Sequence, residues 1–212
     1  MGNPFLFKEA GGNIFVVSSP SGVGKSTLIR LLLESVKALY FSISHTTRPR
    51  RLSEEDGKDY FYVERDKFES MIAGDEFVEW AVVHGNLYGT LRAQLEAVQN
   101  SGLNIIMDVD VQGQQQVKSK IPEATTIFIL PPSFDELKAR LMSRGSESDH
   151  AIEGRLDQAR KEISCWKDYD YLVINDDLHR AFEQLRSIVL ATQARRGSVQ
   201  NQIEHILKTF GG

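Results

Sequence analysis

Short apolar runs alternate with stretches in which apolar residues recur every three or four positions. Asn13–Ser18, Asn104–Val109, Thr126–Leu130 and Tyr171–Asn175 are continuous apolar runs bounded by turn residues. Such runs predict strands of a parallel sheet covered on both faces. Lys25–Val36, Thr90–Ser101, Ser133–Ser143 and Ile152–Trp166 carry the helical period between them. The alternation predicts an α/β fold with right-handed crossovers. Leu178–Arg195 and Ser198–Lys208 predict two further helices, with Gly197 between them. One region breaks the pattern. From Ser42 to Tyr88 the residues favour short strands, interrupted by a helix at Lys67–Ala73. This reads as a small, mostly β lobe inserted into the core. The polar segment Arg144–Glu153 lies between two helical patterns and is a candidate lid. The division expected is a core of residues 1–40 and 89–212, with a lid at about 138–158 and an inserted lobe at 41–88.

Composition narrows the classes. The chain has 212 residues, enough to bury a core without a metal or disulfide staple. With 25 basic and 29 acidic residues its net charge is -4, which argues against a generic nucleic-acid partner. The single cysteine, Cys165, cannot form an internal disulfide and reads as an ordinary helix residue. The apolar runs are far shorter than a membrane span, and the first residues lack the apolar run of a signal peptide. The expectation is a cytoplasmic protein with no membrane or nucleic-acid partner; a homo-oligomer stays open.

The chemistry begins after the first strand, with Ser19-Pro20-Ser21-Gly22-Val23-Gly24-Lys25-Ser26-Thr27. Gly24, Lys25 and Ser26 match the end of the phosphate-loop pattern G-x-x-x-x-G-K-[ST], between a strand and a helix as the pattern requires. Ser19 replaces the first Gly, a site that begins the turn. Gly22 and Gly24 let backbone N–H groups converge on phosphate oxygens, and the helix N-terminus adds positive partial charge. Lys25 can reach the β- and γ-phosphates, and the Ser26 hydroxyl can ligate magnesium. Asp110-Val111-Gln112-Gly113 imitates a GTPase switch, but no N-K-x-D guanine motif accompanies it.

A kinase for a small phosphorylated acceptor needs a second anion site. His45-Thr46-Thr47-Arg48-Pro49-Arg50-Arg51 puts three arginines within four residues of the lobe. Guanidinium forks suit phosphate oxygens. The plain alternative is a solvated loop balanced by Glu54, Glu55 and Asp56.

The motifs S-x-S-G-V-G-K-S-T, S-H-T-T-R, G-K-D-Y-F-Y, E-F-V-E-W-A, G-N-L-Y-G-T, D-V-D-V-Q-G, I-F-I-L-P-P-S and I-N-D-D occur in this order over about residues 13–195. Together they resemble the guanylate kinases. The resemblance implies a P-loop core that binds ATP and Mg²⁺, a lobe that binds GMP, and a lid that closes over both. It implies that Arg48, Arg51, Tyr60 and Tyr88 hold the GMP phosphate, and that Ser44, Glu79, Thr90 and Asp110 read guanine. It implies that Arg140, Arg144 and Arg155 clamp the transferring phosphoryl group and the ATP base, and that Asn175 and Asp176 touch adenine.

For Glu79 the chemistry is independently plausible, because an ionised carboxylate accepts from guanine N1–H and the 2-amino group while adenine leaves it unpaired. Its plain alternative is a solvent carboxylate at a strand end; for Tyr60 and Tyr88 it is half-buried packing. Asp108 ends an apolar strand in the position of a Walker-B carboxylate and would act on Mg²⁺ through water; otherwise it is a strand-end cap. Asp108 and Asp110 are expected on one strand face at period two, one serving the metal and the other the base. Arg140 and Arg144 are four apart and share a helical face. No general base is demanded, so His45 is expected in a surface or loop role.

One departure matters. The family pattern is R-x-P-R-x-G-E, whereas this chain has Arg48-Pro49-Arg50-Arg51-Leu52-Ser53-Glu54. Arg50 and Arg51 could therefore exchange roles. The activity implied is ATP + GMP = ADP + GDP. The alternatives are a kinase for another nucleoside monophosphate and a non-catalytic, protein-binding module of the same fold; the intact Lys25 argues against the latter.

Overall fold

The structure, a computed structural model, describes residues 12–83, 85–143 and 149–210. The chain runs β1 (Ile14–Ser18), α1 (Lys25–Ser35), β2 (Leu39–Phe41), β3 (His45–Thr46), β4 (Phe61–Tyr62), α2 (Arg65–Ala73), β5 (Phe77–Val83) and β6 (Asn86–Leu91). It continues through α3 (Arg92–Asn100), β7 (Asn104–Asp108), α4 (Val111–Lys120), β8 (Thr125–Leu130), α5 (Phe134–Ser143) and α6 (Asp149–Ile163). The last elements are β9 (Tyr171–Ile174), α7 (Leu178–Gln193) and α8 (Gln200–Thr209).

Five strands form a parallel sheet in the order β2-β7-β1-β8-β9. Strand β1 explains the continuous apolar signal. Phe15 and Val17 pack on one face with Leu28, Leu32, Ile106 and Ile127. Ile14 and Val16 pack on the other with Leu95, Ile105, Met107 and Val117. Alternate side chains thus meet two separate helical layers, so neither face is polar.

The interrupting region forms a second, four-stranded sheet in the order β4-β3-β6-β5. Its own small core holds Phe68, Met71, Phe77 and Leu87, with the Phe68 and Phe77 rings stacked at 4.4 Å. A bulge between Phe77 and Glu79 shifts the register of β5 against β6. Consecutive residues there point to opposite faces and bury in different places, Phe77 in the lobe and Val78 in the core beneath α4.

Several elements depart from the expectation. Strand β2 belongs to the core sheet, although its Phe41 reads with the lobe in sequence. Strand β6 runs through Thr90, which therefore sits on a strand and not at a helix start. Helix α4 carries no predicted period, because its buried residues are Gly113, Gln114 and Val117. Asp110 does not share a strand with Asp108. It is the N-cap of α4, its carboxylate accepting from Gly113 N–H at 2.8 Å. Cys165 lies in a 3₁₀ turn after α6. His45 is packed on Phe61 at 4.8 Å, and burial lowers its pKa.

Candidate active site

The parallel register brings the carboxyl ends of β1 and β7 side by side, with Val17 opposite Asp108. The chain leaving β1 turns through Ser19–Gly24 into α1. Gly22 and Gly24 have φ of 91° and 102°, a region that side chains resist. There is no room for a side chain either. A Cβ on Gly22 would stand 2.6 Å from Leu141, and one on Gly24 would stand 2.7 Å from the Asn175 amide. Val23, between them, is fully buried and pins the turn to the core. The first turn of α1 carries no acidic side chain, so its free N–H groups keep their positive partial charge. Lys25 makes an ion pair with Asp108 across the strand ends. Ser26 and Thr27 are exposed on the same first turn.

Other elements brace this loop. The buried Asn175, after β9, donates from Nδ2 to Val23 O at 2.7 Å. Arg140 on α5 donates to Val23 O at 3.3 Å and to Asn175 O at 3.0 Å, while Glu136 holds its Nε at 2.8 Å. Arg155 on α6 donates to Ser21 Oγ at 2.6 Å. Two of the three clamp arginines thus converge on the loop; Arg144 lies outside the described residues. Asp176 accepts from Asp177 N–H and pairs with Arg180, which ties it to the head of α7.

The lobe presents a second cationic group. Arg48 pairs with Glu54 at 2.7 Å, donates to Pro49 O and lies 5.4 Å above the Tyr60 ring. Tyr60 and Tyr88 meet edge to face at 5.7 Å. Glu54 is the hub that sequence reasoning missed, reading it only as a counter-charge. Its carboxylate also accepts from Arg51 N–H and from Tyr62 O–H, both at 2.8 Å. These three donors, the Arg48 guanidinium first, hold its carboxyl down at about 2. Arg50 donates to Glu54 O, so its guanidinium serves the loop backbone, while Arg51 is exposed. Ser44 receives Phe61 N–H on its carbonyl, fixing the strand before the arginines.

Glu79, on strand β5, is only 4% exposed. Thr90 Oγ1 donates to its Oε1 at 2.6 Å. Burial pushes its carboxyl up to about 7; the Thr90 hydrogen bonds oppose this, and the Asp110 charge adds to it. Gly113 backs the carboxylate so closely that a Cβ there would stand 2.9 Å from Oε2. A buried carboxylate with one oxygen held by a hydroxyl suits a ligand carrying adjacent N–H donors.

Among the described residues no cluster of three His, Cys, Asp or Glu could hold a metal. The Ser26 hydroxyl and the Asp108 carboxylate offer oxygens of the kind that would suit a magnesium, Asp108 through water.

The guanylate kinase family profile matches residues 11–192. The guanylate kinase of Nitrobacter hamburgensis is 47% identical over 196 residues, covering 92% of this chain and 90% of that protein. That of Koribacter versatilis is 50% identical over 193 residues, covering 89% and 82%. The crystal structure of guanylate kinase from Anaplasma phagocytophilum superposes with a TM-score of 0.73 at 34% identity, covering 89% of this chain and 90% of that one. The chain belongs to the guanylate kinase family.

Proposed function

We propose that this chain catalyses ATP + GMP = ADP + GDP. The observation that carries the reading is Glu79, a buried carboxylate held by Thr90 and backed by Gly113 of the helix that Asp110 caps. Guanine satisfies it through N1–H and the 2-amino group. Adenine offers no N1–H, and a buried acceptor left unpaired disfavours it strongly.

In this reading Ser19–Thr27 cradle the ATP phosphates, and Asn175 and Asp176 stand by the adenine. Lys25 exchanges Asp108 for the β- and γ-phosphates. Arg48, Arg51, Tyr60 and Tyr88 hold the GMP phosphate, while Ser44, Glu79, Thr90 and Asp110 read the base. Arg140, Arg144 and Arg155 take up charge on the transferring group, and Ser26 and Asp108, the latter through water, would hold Mg²⁺. Bound there, the ion would screen the ATP phosphates from the incoming oxygen. The attacking phosphate oxygen is already anionic, so no side chain needs to remove a proton. Catalysis then rests on position and charge. No described helix is long and apolar enough to cross a membrane, which fits work in the cytoplasm on dissolved nucleotides.

The test is ADP release with GMP, AMP, UMP and dTMP offered in turn, with and without magnesium. Turnover with GMP alone, abolished by chelation, is expected. Turnover with AMP but not GMP would overturn the substrate. Binding of GMP with no turnover would indicate a binding module.

A further inference from the structure

Strand β5 is the open edge of its sheet, paired on one side to β6. In an antiparallel pair, alternate residues point their N–H and C=O groups away from the partner strand. On an edge those groups need another neighbour. Here the neighbour is a helix. Gln116 on α4 donates from Nε2 to Trp80 O at 2.7 Å and accepts from Trp80 N–H on Oε1 at 3.1 Å. A carboxamide carries the same donor and acceptor as a peptide group, so Gln116 imitates one residue of a missing strand. Lys120 continues the ladder, donating to Phe77 O at 2.9 Å. Gly113 begins it, leaving space for the Glu79 carboxylate. Positions 113, 116 and 120 lie on one helical face.

Two consequences follow from this placement. The bonded residue, Trp80, directly follows Glu79, and the bulge beside Glu79 makes the strand locally irregular. The helix that supplies the bonds also begins at Asp110, the second carboxylate of the proposed base site. The Gln116 bonds therefore tie β5, which carries Glu79, to α4, which Asp110 caps.

We propose that Gln116 is a positioning residue for guanine recognition: its carboxamide closes the β5 edge and holds Glu79 in register with the head of α4. The inference rests on the proposed activity. Gln116 touches no reacting atom, so its effect falls on base selection and not on phosphoryl transfer.

The test compares Gln116→Met and Gln116→Glu with the wild-type chain, using GMP and inosine monophosphate, which lacks the 2-amino group. In both variants KM for GMP should rise about ten-fold, the scale of one or two buried hydrogen bonds. The kcat at saturating GMP and the KM for ATP should stay within about two-fold. The preference for GMP over inosine monophosphate should fall by a similar factor, which general loosening would not produce. Gln116→Glu keeps the size and one acceptor but turns a carboxylate toward Trp80 O, and it decides the matter if Gln116→Met does not fold. Unchanged KM and preference in a folded variant would overturn the inference, as would an equal rise in KM for ATP. A wild-type chain without GMP turnover would overturn the functional reading instead.

Discussion

Single side chains carry charges whose surroundings define their work. Lys25, at the start of α1, is held by Asp108, and in the proposed reaction it passes to the β- and γ-phosphates. Lys25→Ala should lower kcat/KM by about 10²–10³, the cost of one preorganised charge at a phosphoryl transition state. Turnover near the wild-type value, measured by ADP release, would remove Lys25 from the mechanism. Glu54 acts at one remove. It orients Arg48, receives Arg51 N–H and takes the Tyr62 hydroxyl, so the arginine loop and strand β4 depend on one carboxylate. Glu54→Ala should raise KM for GMP about ten-fold or more while leaving KM for ATP nearly unchanged, because the charge-assisted bonds lie within the lobe. A parallel rise for both nucleotides would show that Glu54 supports the whole fold. The arginine cluster itself is legible in sequence, since R-P-R-R is local. Glu54 is not, since an acidic residue beside arginines looks the same whether solvated or bonded.

At the level of elements, the phosphate loop depends on two left-handed glycines and a brace from β9. Gly24→Ala would place a methyl group 2.7 Å from the Asn175 amide and force φ near 102° on an L residue. The backbone strain alone is about 1–2 kcal/mol. For a chain of this length that lowers Tm by roughly 2–8 °C, and KM for ATP should rise more than KM for GMP. A thermal melt and initial rates check both; an unshifted melt would show that the brace yields freely. Helix α4 shows why one element escaped the pattern. Its sequence, V-Q-G-Q-Q-Q-V-K-S-K, holds two apolar residues, and it meets β5 through amide and ammonium groups. Hydrophobic periodicity reports only apolar contacts, so a helix packed through hydrogen bonds leaves no trace in it.

Across the whole molecule, Glu79 links stability to pH. Its ordinary value of 4.5 rises to about 7 in the folded protein. The folded state therefore holds the proton more tightly than the unfolded chain. Stability contributed by the neutral acid is present below about 4.5 and is lost as pH climbs to about 7. The loss is on the order of 3 kcal/mol. Glu79→Gln cannot titrate, so the stability difference between variant and wild type should shift in favour of the variant across that window and level off above it. Denaturant unfolding at several pH values measures this; a constant difference would place the Glu79 carboxyl at its ordinary value. Base recognition runs the opposite way. In the proposed reading the ionised form accepts from guanine, so KM for GMP should rise more steeply below pH 7 in the wild type than in Glu79→Gln. A net charge of -4 conceals all of this, because it sums 25 basic and 29 acidic residues without regard to where each one stands.

What the chain's own order of residues determined was whatever is local. The strands β1, β7 and β8 are legible because two-sided burial makes each continuously apolar, while β9 is an apolar run at the sheet edge whose Leu172 and Ile174 are exposed. The phosphate loop is legible because its glycines, lysine and serine act within nine residues. The family motifs name most of the proposed site, since each is a short run. Tertiary structure alone decided which of those residues are buried and what holds them. Burial pushes the Glu79 carboxyl up to about 7, and part of the enclosure is Gly113 of α4, 34 residues away along the chain. Asp110 caps a helix that sequence pattern does not reveal. Desolvation and hydrogen bonding depend on neighbours in space, and a neighbour such as Gln116, 37 residues from Glu79, enters only when the chain has folded.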